Sequence, residues 1–137
     1  MIDATPITIK SSGVGLYVSN LIQNLYPQLT KEVALGLVYQ PGFKAWLRNQ
    51  SKFPDYLTVS KSDYLLPFPV RVSNLFLDYY PKFFSSYVEP KLGNVDIFHG
   101  TNYTVFPFQK CRKVMTIYDV TFLKYPEYVN SVVKQYG

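Results

Sequence analysis

Residues 11–22 read SSGVGLYVSNLI, two glycines one residue apart directly before a run with helical spacing. Upstream, residues 1–5 (MIDAT) read as the tail of a short apolar strand that enters a polar loop, PITIKSSG. Downstream of Gly15, the residues Leu16, Val18, Leu21, Ile22, Leu25 and Tyr26 recur at three- and four-residue steps, one face of a helix that Pro27 limits. Whether the glycine pair cradles an anion or only turns the chain into the helix depends on what else the sequence brings to that loop.

The next segments continue the alternation. EVALGLVYQ (32–40) is an apolar run ended by Pro41 and Gly42, as expected for a strand buried on both faces. FKAWLRNQ (43–50) makes a short helix, and YLTVS (56–60) reads as a further strand. From 70 to 87, Val72, Leu75, Phe76, Tyr79, Tyr80, Phe83, Phe84 and Tyr87 follow the helical period, with Pro81 predicting a kink or a break into two helices. That aromatic face either packs on a sheet or lies on a membrane surface. VDIFHG (95–100) and KVMTIYD (113–119) are two more strands, each ending in polar residues. Strands alternating with helices predict an α/β fold, a parallel sheet flanked by helices. Ligands in such sheets collect beyond the carboxyl ends of the strands. Three polar clusters fall there: the glycine loop, HGTNY and YDVTF.

Composition narrows the function classes. With 137 residues the chain is one small domain, and 47% apolar against 17% charged residues describes a folded protein. Aromatic residues reach 18%, 13 of them Tyr and 10 Phe, enough for a Tyr-rich core and rim or for a binding groove. The net charge of +5 comes without any block of five Lys or Arg, which argues against a dedicated nucleic-acid binder. Cys111 is the single cysteine, so neither an intramolecular disulfide nor a cysteine metal site is expected. There is no 18-residue apolar window and no charged-then-apolar leader, so the expected location is cytoplasmic. The short first strand and a helix-like end at VVKQYG make a fragment of something larger the expectation.

Three clusters carry the candidate chemistry. Gly13 and Gly15 open the first helix, but Val18 stands where a dinucleotide fingerprint has its third glycine, and no P-loop pattern is present. Glycines still let backbone approach a ligand, and a helix start attracts an anion; a plain turn is the alternative. His99, the sole histidine, closes a strand and is followed by Gly100, Thr101 and Asn102, so it can bind a hydroxyl, exchange a proton, or simply bond backbone. Asp119 can orient sugar hydroxyls or cap the following turn. One histidine and no cysteine partner predict no metal site.

In this order the three clusters resemble the N-terminal half of family 4 glycosyltransferases of the GT-B fold. The matching stretches are IDATPITIKSSGVGLYVSNLIQNL, DIFHGTNYTVFP and KVMTIYDVTFLKYPEY, at the two ends of the chain; residues 41–90 contribute little. The resemblance implies one partial domain over residues 1–137, a Rossmann-like acceptor-side half. It implies a retaining transfer from a nucleotide-sugar to a glycan or lipid-linked acceptor, in polysaccharide assembly, with the nucleotide-sugar as co-substrate and no other cofactor. Gly13 and Gly15 would then lie near the donor diphosphate, His99 and Asn102 would border the cleft and bind substrate, and Tyr118 and Asp119 would match a catalytic His-Asp pair.

Two departures stand out. Tyr118 replaces the family histidine, and a phenol hydrogen-bonds a sugar but shuttles protons poorly at neutral pH. Leu16 stands where an Arg is common, removing a phosphate partner. The family's C-terminal domain, with its paired glutamates, does not follow in this sequence, so the chain alone is expected to be inactive. The expected partners are the donor, the acceptor, that second domain and, from the aromatic helix, the inner face of a membrane. The alternative is a non-catalytic carbohydrate-binding or interaction module of the same shape.

Overall fold

A computed structural model describes residues 1–8, 13–53, 57 and 62–125 of the chain. Its centre is a parallel sheet of five strands: β1 (Ile2–Asp3), β2 (Leu37–Tyr39), β3 (Tyr64–Leu65), β4 (Ile97–Gly100) and β5 (Arg112–Met115). The strand order is β3-β2-β1-β4-β5, so the chain steps outward one way from β1 and then returns to the other side of it. This is a Rossmann-like α/β sheet, and its order reverses between β1 and β4.

Among the described residues five α-helices connect and flank the strands: α1 (Gly13–Leu25), α2 (Phe43–Leu47), α3 (Val70–Tyr79), α4 (Pro81–Val88) and α5 (Thr121–Lys124). Right-handed crossovers cover one face while the chain moves one way along a sheet and the other face when it moves back. The two cores follow that rule. On one side Val18 and Ile22 of α1 pack with Ile2, Ala4, Ile7, Leu35, Leu37 and Leu57. On the other, Phe84 and Val88 of α4 pack with Val38, Leu66, Phe98, Phe106 and Phe108.

The β4–β5 connection, residues 101–111, contains no helix. Aromatic side chains fill the place of one: Phe98 of β4 stacks on Phe106 with ring centroids 5.1 Å apart and meets Phe108 edge-on at 4.9 Å. Phe84 closes the cluster against Phe106 at 5.0 Å. Each such pair contributes about 0.5–1.5 kcal/mol beyond its burial. The loop is tied down by Glu89, whose carboxylate accepts the backbone N–H groups of Gln109 at 2.9 Å and Lys110 at 2.6 Å. At its start the loop doubles back so closely that a Cβ on Gly100 would overlap the carbonyl oxygen of Thr104.

Several expectations shift. The strand expected within 32–40 narrows to Leu37–Tyr39, with Leu35 to Val38 buried as predicted. The third strand is Tyr64–Leu65; of the predicted 56–60 segment only Leu57 lies among the described residues, and there it is a core residue. The helix-like terminus at VVKQYG lies outside the described residues. Pro81 does break the long helical run: Tyr80 closes α3 through its N–H to Phe76 and opens α4 by accepting the N–H of Phe84. Yet of the eight residues carrying the helical period only Phe84 is buried. The buried residues of the two helices are Ser73, Phe84, Ser85 and Val88.

Candidate functional site

The crevice between the carboxyl ends of β1 and β4 is where an open α/β sheet offers its ligand site. Its floor is a chain of short hydrogen bonds. The buried Thr101 hydroxyl, just past β4, donates to the carbonyl of Asp3 at 2.7 Å, and the Tyr118 hydroxyl donates to the carbonyl of Thr101 at 2.7 Å. β1, β4 and the segment after β5 are thereby locked together at the switch point. The Asp3 carboxyl is buried and accepts the Thr5 N–H at 2.9 Å; burial pushes its pKa up, against the pull of the Thr5 bonds.

Three tyrosines form the wall above that floor. Tyr17 of α1 meets Tyr118 edge-to-face, centroids 5.4 Å apart at 90°, and Tyr103 also meets Tyr118, at 5.7 Å. Tyr17 is 43% and Tyr118 36% exposed, so the rings retain free surface. Burial raises the Tyr118 phenol above its ordinary range, and the neighbouring Tyr17 and Tyr103 raise it further, so it is a neutral donor at any physiological pH. Tyr103 has a backbone φ of 56°, in the left-handed region that costs a bulky residue about 1–3 kcal/mol. Its N–H bonds the carbonyl of Thr116 at 3.1 Å and its hydroxyl donates to Asp119 Oδ2 at 3.2 Å, which hold it there.

Asp119 lies four residues beyond the end of β5, not at the strand end the sequence predicted. Its Oδ1 accepts the Thr121 N–H at 3.0 Å, the turn-capping alternative, at the entry to α5. That backbone bond, the Thr121 side chain and the Tyr103 hydroxyl hold the carboxyl below its usual range, so Asp119 is an exposed carboxylate. Both oxygens keep lone pairs for further donors.

The remaining predicted residues divide. Gly15 is buried, and a Cβ there would sit 2.6 Å from the Pro6 carbonyl oxygen; glycine is needed for α1 to approach the chain leaving β1. Gly13 is exposed, and a Cβ would meet nothing within 4 Å. His99 is half-buried in β4, with Nε2 2.7 Å from the Thr116 hydroxyl; burial, aided by the positive chain amino terminus, lowers its pKa and favours the neutral ring. Asn102 is exposed, and its carbonyl accepts the Thr104 hydroxyl at 3.3 Å. The structure thus links Tyr118 to Thr101 directly and Asp119 to Tyr118 through Tyr103, with Tyr17 of α1 against Tyr118. Gly13 and Gly15 share the helix of Tyr17 but are not among these links, and His99 is engaged within the sheet. No group of three or more His, Cys, Asp or Glu side chains among the described residues is arranged to hold a metal ion.

Sequence reasoning placed Thr101 and Tyr103 in the HGTNY cluster but gave them no role, and it passed over Tyr17 and Gln40. Gln40 follows β2, and its Oε1 is buried without a hydrogen-bond partner, an unusual cost for a polar atom. Tyr17 and Tyr103 do carry a signal, since each is an aromatic residue within two positions of a motif already singled out (Gly15 and Asn102). Comparison with protein-family models, with curated proteins and with solved structures returned no match.

Proposed function

We propose that this chain is the acceptor-side wall of a retaining glycosyltransferase of the GT-B type, which transfers a sugar from a nucleotide-sugar to a glycan or lipid-linked acceptor at the cytoplasmic face of a membrane. The observation that supports it best is the Tyr17–Tyr118–Tyr103 wall beside the Asp119 carboxylate, at the switch point of a parallel sheet. Pyranose rings present apolar C–H faces that stack on aromatic rings and hydroxyl rims that bond carboxylates, so exposed tyrosine next to an exposed carboxylate suits a sugar. In this reading Tyr17 and Tyr118 hold the acceptor ring, and Asp119 accepts its hydroxyls. Gln40 Oε1 is an acceptor awaiting a donor, and the Gly13–Gly15 helix start faces the donor diphosphate. Tyr118 orients rather than shuttles protons, because its own proton is committed to Thr101. Turnover requires a second domain to close the cleft and exclude water.

One observation favours a non-catalytic carbohydrate-binding module instead: Tyr118 and Asp119 both spend hydrogen bonds on the fold itself. A single experiment separates the two. The chain is titrated by NMR with a panel of nucleotide-sugars and neutral oligosaccharides, following the tyrosine ring resonances. Under the glycosyltransferase reading both ligand classes shift Tyr17 and Tyr118, and nucleotide-sugars additionally shift the amides of Gly13 and Gly15. Oligosaccharide shifts alone support the binding module. Silence from both classes removes sugar binding altogether.

A further inference from the structure

Helices α3 and α4 turn an unusual surface to solvent. Tyr79, Tyr80 and Phe83 are 70%, 64% and 59% exposed around the Tyr80–Pro81 break, and Leu75 and Tyr87 are exposed beside them. The patch is continuous. Phe83 meets Phe76 at 5.9 Å, Phe76 meets Phe68 at 5.7 Å, and Phe68 meets Tyr87 at 5.6 Å. Leu75 and Tyr79 are one helical turn apart on α3. An apolar surface of this extent marks an interaction site rather than scattered exposure.

The charges around it are mostly basic. Arg71 precedes Leu75 by one turn, and the Lys91 ammonium sits 3.4 Å from the centroid of the Tyr87 ring. Lys82, the residue before Phe83, lines an open groove between α4 and residues 107–110 together with Ser86, Gln109 and Lys110. The one acid in that groove, Glu89, is turned onto the backbone N–H groups of Gln109 and Lys110. Asp78 is the other acid on this surface. Among the described residues Arg71, Lys82 and Lys91 therefore adjoin the patch, and Lys110 shares the groove with Lys82, against the acids Asp78 and Glu89, the second already bound.

We infer that the α3–α4 surface docks on an anionic lipid bilayer, with the aromatic ridge at the headgroup level and lipid phosphates between Lys82 and Lys110. Tyrosine suits that depth because its ring is apolar and its hydroxyl stays wet. The basic rim matches the negative leaflet. A protein interface is the poorer fit, since lysine is depleted there relative to the rest of the surface, whereas here Lys82 precedes Phe83 and Lys91 lies over Tyr87. No helix among the described residues is long and apolar enough to cross a membrane, so the contact is interfacial. This surface is independent of the sugar site and stands or falls without it.

The test is co-sedimentation of the full chain with phosphatidylcholine vesicles, with and without 30% phosphatidylglycerol, read together with its mass by light scattering. Binding is expected only with the anionic lipid. It should weaken about fivefold for each of Lys82→Gln and Lys110→Gln and fall further as salt rises. Tyr79→Ser/Phe83→Ser, exposed and so compatible with folding (checked by circular dichroism), should lose roughly tenfold or more from the lost apolar area. Equal binding to both vesicles, no binding to either, or a dimer that this double variant dissociates would each overturn the inference.

Discussion

Gly13→Ala and Gly15→Ala, made side by side, separate two uses of the glycine pair that opens α1. At Gly15 an added Cβ lies 2.6 Å from the Pro6 carbonyl oxygen and 3.5 Å from Ile7 Cα. Ordinary contact begins near 3.4 Å, so either α1 or the chain after β1 must retreat by several tenths of an ångström. Both are held, α1 by Val18 and Ile22 in the core and the loop by Ile7. Overpacking against backbone costs about 1–3 kcal/mol, which for a chain of this length lowers the melting temperature by roughly 4–12 °C. At Gly13 the Cβ meets nothing within 4 Å, and alanine in a helix is favoured by at most about 0.5–1 kcal/mol. Gly13→Ala should therefore leave stability unchanged or slightly raised. Urea and thermal unfolding of the two variants measure the contrast. Equal destabilisation, or a larger loss at Gly13, would refute the assignment of Gly15 as the packing glycine. Because Gly13→Ala leaves the fold intact, any loss of nucleotide-sugar affinity in it reports on the loop as a ligand site.

Gly100→Ala should cost about 3 kcal/mol or more, or prevent folding, because the Cβ overlaps the Thr104 carbonyl; circular dichroism and solubility report it. Tyr118→Phe removes the bond to Thr101 and should cost about 1 kcal/mol in urea unfolding while preserving the ring against Tyr17; Tyr118→Ala should additionally abolish glycan-induced shifts. His99, whose folded pKa is lowered below 6.5, contributes stability that is complete above pH 6.5 and is lost as pH falls toward the folded value; an NMR titration should place its midpoint below 6.5. Glu89 feels burial that raises its pKa, but the backbone N–H groups of Lys110 and Gln109 and the Ser85 hydroxyl outweigh it. Its contribution is therefore present above pH 4.5 and lost as pH falls through the lowered folded value. Glu89→Gln should flatten that acid limb of the unfolding curve.

Much of the fold was legible because alternating apolar runs and helical spacings fix a parallel sheet, and Pro41, Gly42 and Pro81 punctuate it where they stand. The strand Tyr64–Leu65 was not, because its identity rests on pairing with Val38 and Tyr39 rather than on a local apolar run. The aromatic period of 70–87 was visible, but periodicity does not say which way a face points; here Ser73, Phe84, Ser85 and Val88 are buried while Tyr79, Tyr80 and Phe83 stay outside. At the site, Asp119 and Tyr118 were legible as motif residues. Tyr103 carried only its nearness to Asn102, since its role depends on a left-handed backbone and on a hydroxyl reaching across to another loop. Strand order leaves no local mark in sequence, and so the meeting of Thr101 with Asp3 could only be seen in three dimensions.

The central place of β1 has a consequence for how the molecule assembles. Ile2 pairs with Leu37 on one side and with His99 on the other. The first pairing closes a short β-α-β unit, while the second waits until nearly the whole described chain exists. Long-range pairing of this kind slows folding, since loop-closure entropy must be overcome before its contacts form. During synthesis β1 therefore meets β2 early and carries an open edge until β4 arrives, a window in which that edge can pair wrongly. The crevice that brings the tyrosines together is thus made late, since it needs β4 and the Tyr103 and Tyr118 that follow it in the chain. Pulsed hydrogen exchange should find the amide of His99, bonded to Met1, protected later than that of Ala4, bonded to Val38.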